Sequence, residues 1–176
     1  MMRFVKRLAR RARRENGTAS VEFVLMMPVM FTIFMASFES GLLMTRSIML
    51  EQAVDRTMRE LRLGHLPNAT HGSLKTEICS RTVILQDCMS QIAINMQRID
   101  TATFAMPTIA AGCVDHALPI DPLTTINTGE GNQIMLMRVC VIQDPVFPTT
   151  GIGLRLPKDS SGGYGLLAAT AFVNEP

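Results

Sequence analysis

Apolar and polar positions divide the chain into an anchor, an amphipathic continuation and a tail in which the apolar period shortens. The stretch "VEFVLMMPVMFTIFMASFESGLLM", residues 21–44, is interrupted by two charges, Glu22 and Glu39, and the 16 residues Phe23–Phe38 carry none. If Glu39 is tolerated, the run Phe23–Met44 has 22 residues. A helix rising 1.5 Å per residue needs ~20 residues to cross a ~30 Å hydrocarbon core. Pro28 falls in the first turns, where it removes one hydrogen bond and kinks a helix without ending it. Past the run, Leu43, Leu50, Val54, Met58 and Leu61 recur at helical spacing, while Glu51, Asp55, Arg56, Arg59 and Glu60 lie off that stripe. Asp55 and Arg59 also form an acid-before-base pair one turn apart. Gly64 supplies a stop, with Pro67 just beyond it. The pattern predicts one helix from about Ser20 to Leu63, roughly 65 Å long. Its first half suits lipid and its second half offers a packing face.

After Gly64 the pattern is that of a small globular domain. "HGSLKTEICSRTVILQDC" offers Ser73 as an N-cap and Leu74, Ile78, Ile84 and Leu85 as apolar positions, which predicts a short helix. "SQIAINMQRI" alternates, with Ile92, Ile94 and Met96 on one face, and reads as a strand. In "NQIMLMRVCVIQ", Ile134, Leu136, Arg138, Cys140 and Ile142 share one face and Met135, Met137, Val139 and Val141 the other. Apolar residues on both faces predict a central strand, or one with a face under the long helix. "GLLAATAFV", Gly165–Val173, reads as the last strand, and a weaker one spans Ala111–Asp115. The intervening "LPIDPLTTINTGEGN" and "QDPVFPTTGIGLRLPKDSSGGYG" are turn-rich and read either as recognition loops or as surface padding. The predicted fold class is α+β: a long N-terminal helix packed on a small antiparallel sheet.

Charge gives the anchor a direction. Of the 17 basic residues, 7 fall in residues 1–16, and from residue 18 onward 10 basic residues face 14 acidic ones. A basic block flush against an apolar run orients a membrane helix with its positive side cytoplasmic. The N-terminus is therefore expected in the cytoplasm and the domain in the periplasm. Nucleic-acid binding is a poorer reading of the same block, since the chain has no Trp, one Tyr and no zinc-finger or stacking motif. A cleavable secretory signal would need small residues before the cut, and none with A-x-A character occurs between Phe34 and Thr45, so the anchor reads as retained.

"RRENGTASVEFVLMMPVMF", "FESG", "LEQAVDRTMRELRLG" and the terminal "AFVNEP" resemble the TadE-like minor pseudopilins of the tight-adherence (Tad, or Flp) pilus system. The most specific part is Gly17 followed at the fifth and sixth places by Glu22 and Phe23, after a basic leader and before an apolar helix. The resemblance implies a substrate of a membrane aspartyl prepilin peptidase, cut between Gly17 and Thr18. Gly17, without a side chain, lets a protease approach an extended backbone. The implied parts are a removable leader, residues 1–17, a transmembrane and amphipathic helix, 18–64, and a pilin-like exported domain, 65–176. Glu22 gains a role, because an unpaired carboxylate in lipid costs several kcal/mol. In pilins the corresponding glutamate meets the new α-amino group of a neighbouring subunit, here that of Thr18. The plainer reading leaves Glu22 solvated at headgroup level, and Glu39 likewise snorkelling at the outer interface. The partners implied are the inner membrane, the peptidase, a sister minor pseudopilin and other Tad assembly components. The role implied lies in pilus initiation or tip formation and so in adhesion. Related TadF- and TadG-type roles stay open, as does an unprocessed, membrane-anchored periplasmic binding or adhesive module.

Cys79, Cys88, Cys113 and Cys140 all fall on the expected outer side, where an oxidising compartment favours disulfides. Of the three possible pairings, Cys79–Cys88 closes a short loop between the predicted helix and the first strand, and Cys113–Cys140 joins two strands, so these are favoured. Each is expected to stabilise the domain by roughly 2–4 kcal/mol. His65, His71 and His116 show no metal-ligand spacing, and neither metal nor cofactor is expected. There is no G-x-S-x-G elbow, "NTGEGNQ" lacks the Lys of a phosphate loop, and Asp115 and His116, being adjacent, point to opposite faces of a strand. No enzymatic activity is expected.

Overall fold

A computed structural model describes residues 18–66, 69–103, 113, 126–127, 129, 131–149 and 151–173. The basic leader, Gly17, Pro67, Asp115 and His116 lie outside the described residues, as does the weak strand around residues 111–115 apart from Cys113. Helix α1 runs unbroken over Thr18–Arg62, 45 residues with Pro28 inside it. It ends where the sequence predicts: Gly64 adopts φ +71°, its N–H donates to the Leu61 carbonyl at 3.1 Å, and the His65 N–H reaches back to the Glu60 carbonyl at 3.0 Å. That bond pair caps orphan carbonyls, and a left-handed residue is needed to close it.

Helix α2 spans His71–Ser80. Its N-cap is Thr70 and not Ser73: the Thr70 Oγ1 accepts from the Ser73 N–H at 3.2 Å, and the Ser73 Oγ accepts from the Thr70 N–H at 2.9 Å. The helix thus starts three residues earlier than its apolar positions imply, and Ile84 and Leu85 fall beyond it, in a turn. A short helix α3, Cys88–Gln91, leads into β1, Ile92–Arg98. Strand β2, Ile134–Gln143, helix α4, Gly151–Arg155, and β3, Tyr164–Val173, follow.

The sheet is antiparallel with order β1-β2-β3, so β2 is central. Its register sets Ile94 opposite Val139 and Val139 opposite Ala168. With a side-chain period of two, one face then collects Ile92, Ile94, Met96, Met135, Met137, Val139, Val141, Leu166, Ala168 and Phe172, all buried. The stripe of α1 closes on that face: Leu50, Val54 and Met58 are buried in the same cluster as Leu74 and Ile78 of α2, and Leu43 and Leu61 pack at its margin. Burying each such side chain contributes on the order of 1.5–3 kcal/mol.

The structure joins Cys79 to Cys88, with Cα atoms 5.7 Å apart, and Cys113 to Cys140, 5.2 Å apart. The first ties the end of α2 to the start of α3. Within its loop, buried Gln143 pairs with the backbone of Gln86: its Oε1 accepts from the Gln86 N–H at 3.2 Å and its Nε2 donates to the Gln86 carbonyl at 2.9 Å. The second fixes Cys113 to the centre of β2 on the sheet face opposite α1, where Cys140 lies between Ala93 and Leu167.

Candidate functional site

The two halves of α1 differ sharply. Its most apolar 18-residue window has no buried residue and is long and apolar enough to cross a membrane, with Phe23, Leu25, Met30, Ile33 and Phe34 all exposed. Hydroxyls along it bond back to the helix: Thr32 Oγ1 donates to the Val29 carbonyl at 2.8 Å, Ser37 Oγ to Ile33 at 2.9 Å and Thr45 Oγ1 to Gly41 at 2.7 Å. Polar groups satisfied within one helix are what a hydrocarbon environment demands. One carboxylate remains on this exposed half, that of Glu22, near the N-terminal end of the described helix. Phe23 stands beside it, also exposed.

Glu39 takes the opposite course and corrects the expectation that it snorkels to the interface. It is 1% exposed. Its Oε2 accepts from the N–H of Val146 and of Phe147, each at 3.0 Å, and Oε1 from Val146 at 3.2 Å. Two turns on, on the same side of the helix, Arg46 is 4% exposed and its Nη1 donates to the Asp144 carbonyl at 3.0 Å and the Tyr164 hydroxyl at 2.8 Å. Each charge meets the backbone polarity it favours: amides converge on the carboxylate and a carbonyl on the guanidinium. The segment after β2 is thus clamped to α1 at two points. Phe147 adds an edge-on contact to Phe38, ring centroids 6.1 Å apart. In this part the turn-rich stretch from Gln143 folds back on the anchor. Sequence reasoning missed this clamp, although its signal is visible: two opposite charges seven residues apart at the end of an apolar run share a helix face.

Of the three histidines, His65 and His71 are among the described residues. His65 Nδ1 lies 2.7 Å from Glu60 Oε2 at the end of α1, and His71 opens α2. Among the described residues no group of three His, Cys, Asp or Glu side chains is placed to hold a metal ion.

An α+β head carried on one long apolar helix that fits a single-pass anchor defines a class of protein before any particular family. Within that class, residues 17–59 match the family model described as TadE-like protein, which is consistent with a TadE-like protein of the Tad pilus system. The match comprises the residue before α1 and nearly all of α1, and none of the sheet. No curated protein and no solved structure matches the chain.

Proposed function

We propose that this protein is a minor pseudopilin of the Tad pilus: inserted with its N-terminus in the cytoplasm, cut by a prepilin peptidase between Gly17 and Thr18, and used to start or cap the pilus. The observation that carries this reading is the TadE-like match over residues 17–59 laid on a helix long and apolar enough to cross a membrane, on whose exposed half Glu22 is the sole charge among the described residues.

Glu22 serves assembly. Alone in lipid, its carboxylate carries a cost of several kcal/mol. A neighbouring subunit cut after Gly17 presents the α-amino group of Thr18, a cation that removes this cost only when helices stand side by side. The exposed apolar surface of α1 is the packing surface between subunits, and the head is the part displayed outside. Gly17 and Thr18 act as the scissile pair, Glu22 and Phe23 in recognition and packing.

The test is co-expression with an active or a catalytically dead aspartyl prepilin peptidase. The active enzyme removes residues 1–17; a chain left whole by it refutes processing and leaves an unprocessed anchored module.

A further inference from the structure

We propose that residues 144–149 together with 151–158 form a membrane-surface foot. Val146, Phe147 and Leu154 sit in the outer interface of the bilayer that the first half of α1 crosses, and Arg155 and Lys158 lie at headgroup level. The proposal rests on the reading of α1 as an anchor.

Position along the helix comes first. The foot meets α1 at Ala36, Phe38 and Glu39: a Cβ added to Gly151 would lie 3.0 Å from the Ala36 Cβ, Phe147 contacts Phe38, and the amides of Val146 and Phe147 bind Glu39. These positions lie inside the apolar run. A ~30 Å hydrocarbon core takes up ~20 residues of helix; entered between Thr18 and Glu22, it ends between about residues 37 and 41, the level where the foot is attached.

The chemistry at that level fits. Hiding the Glu39 carboxylate under two amides makes this band of the helix apolar, which a free carboxylate would forbid. Around it, Phe38 is 50%, Met44 62%, Val146 46% and Leu154 64% exposed. An open groove of about 450 Å³ between α1 and α4, lined by Ala36, Gly151, Ile152, Leu156 and Arg155, gives room to an acyl chain. Leu154 is followed at once by Arg155, an apolar tip beside a cation able to reach headgroup phosphates.

The absence of Trp from the chain makes the test direct. The full chain is reconstituted in phosphatidylethanolamine–phosphatidylglycerol vesicles as three single-Trp variants: Leu154→Trp in the foot, Phe34→Trp in the middle of the run, and Val83→Trp at an 89% exposed site of the head. Quenching is read with lipids brominated near the headgroup or near the chain end. The foot predicts Leu154→Trp emission shifted to the blue of Val83→Trp and quenched more by shallow than by deep bromines, with Phe34→Trp quenched more by deep ones. Leu154→Trp behaving as Val83→Trp while Phe34→Trp is quenched overturns the foot and leaves the anchor standing. Both silent overturns both. A blue shift without bromine quenching that grows with the protein-to-lipid ratio means a second copy covers the site, and also overturns the proposal.

Discussion

Two glutamates interrupt the same apolar run and find opposite solutions, and the difference is one of available donors. Glu39 accepts from two amides of a segment 107 and 108 positions away in the chain, whereas Glu22 stands exposed where, among the described residues, no donor meets it. Replacing Glu39 by Leu should therefore leave two amides without an acceptor and destabilise the head by about 2–4 kcal/mol, read as a lowered urea midpoint of the detergent-solubilised chain. Glu39→Gln keeps an acceptor oxygen and should cost clearly less. Glu22→Ala should not change that midpoint. In the native host it should abolish incorporation into sheared pili, detected by immunoblot; pili containing the variant at normal level would remove the assembly role of Glu22. The shared face of Glu39 and Arg46 was legible in the sequence, but their partners were not, because a hydrogen bond to the backbone leaves no mark on the residues that supply it.

Elements were legible in proportion to their periodicity. The stripe Leu43 to Leu61 and the alternation in β1, β2 and β3 repeat often enough for burial to impose one period on each, and the C-terminal end of α1 and the ends of the strands shift by only a residue or two. Helix α4 has five residues, three of them in "GIG", and no repeat to read. What positions it is close approach: a side chain on Gly153 would run into the Phe147 carbonyl oxygen. Gly153→Val should accordingly push α4 off the turn before it and expose that segment to limited proteolysis, while cleavage patterns in α2 stay as they were. Gly64 holds φ +71° in open space, so Gly64→Ala should cost about 1 kcal/mol through backbone strain alone. A thermal melt that does not shift would mean the cap contributes nothing. The start of α2 was misplaced at the sequence level because Ser73 is a capping residue in type; it acts here as the reciprocal partner of Thr70.

For the whole molecule, hydropathy and charge prescribe an anchor and a head, and the structure adds how rigidly one is fastened to the other. The core joins α1, α2 and three strands in one cluster, and two disulfides bind the segments flanking the sheet. Replacing Cys79 and Cys88 together by Ala should cost roughly 2–4 kcal/mol and lower the Tm without changing cleavage after Gly17. A head fixed to a helix by core and clamp, and braced within itself by two disulfides, moves as one body with it, which suits a subunit drawn from the membrane into a fibre. Whether the chain is such a subunit turns on its mature N-terminus. Mass spectrometry of the protein recovered from membranes or sheared pili of its native host should find a chain that begins at Thr18, with the basic leader gone; a chain that begins at Met1 or Met2 would contradict processing and reduce the protein to an anchored periplasmic module.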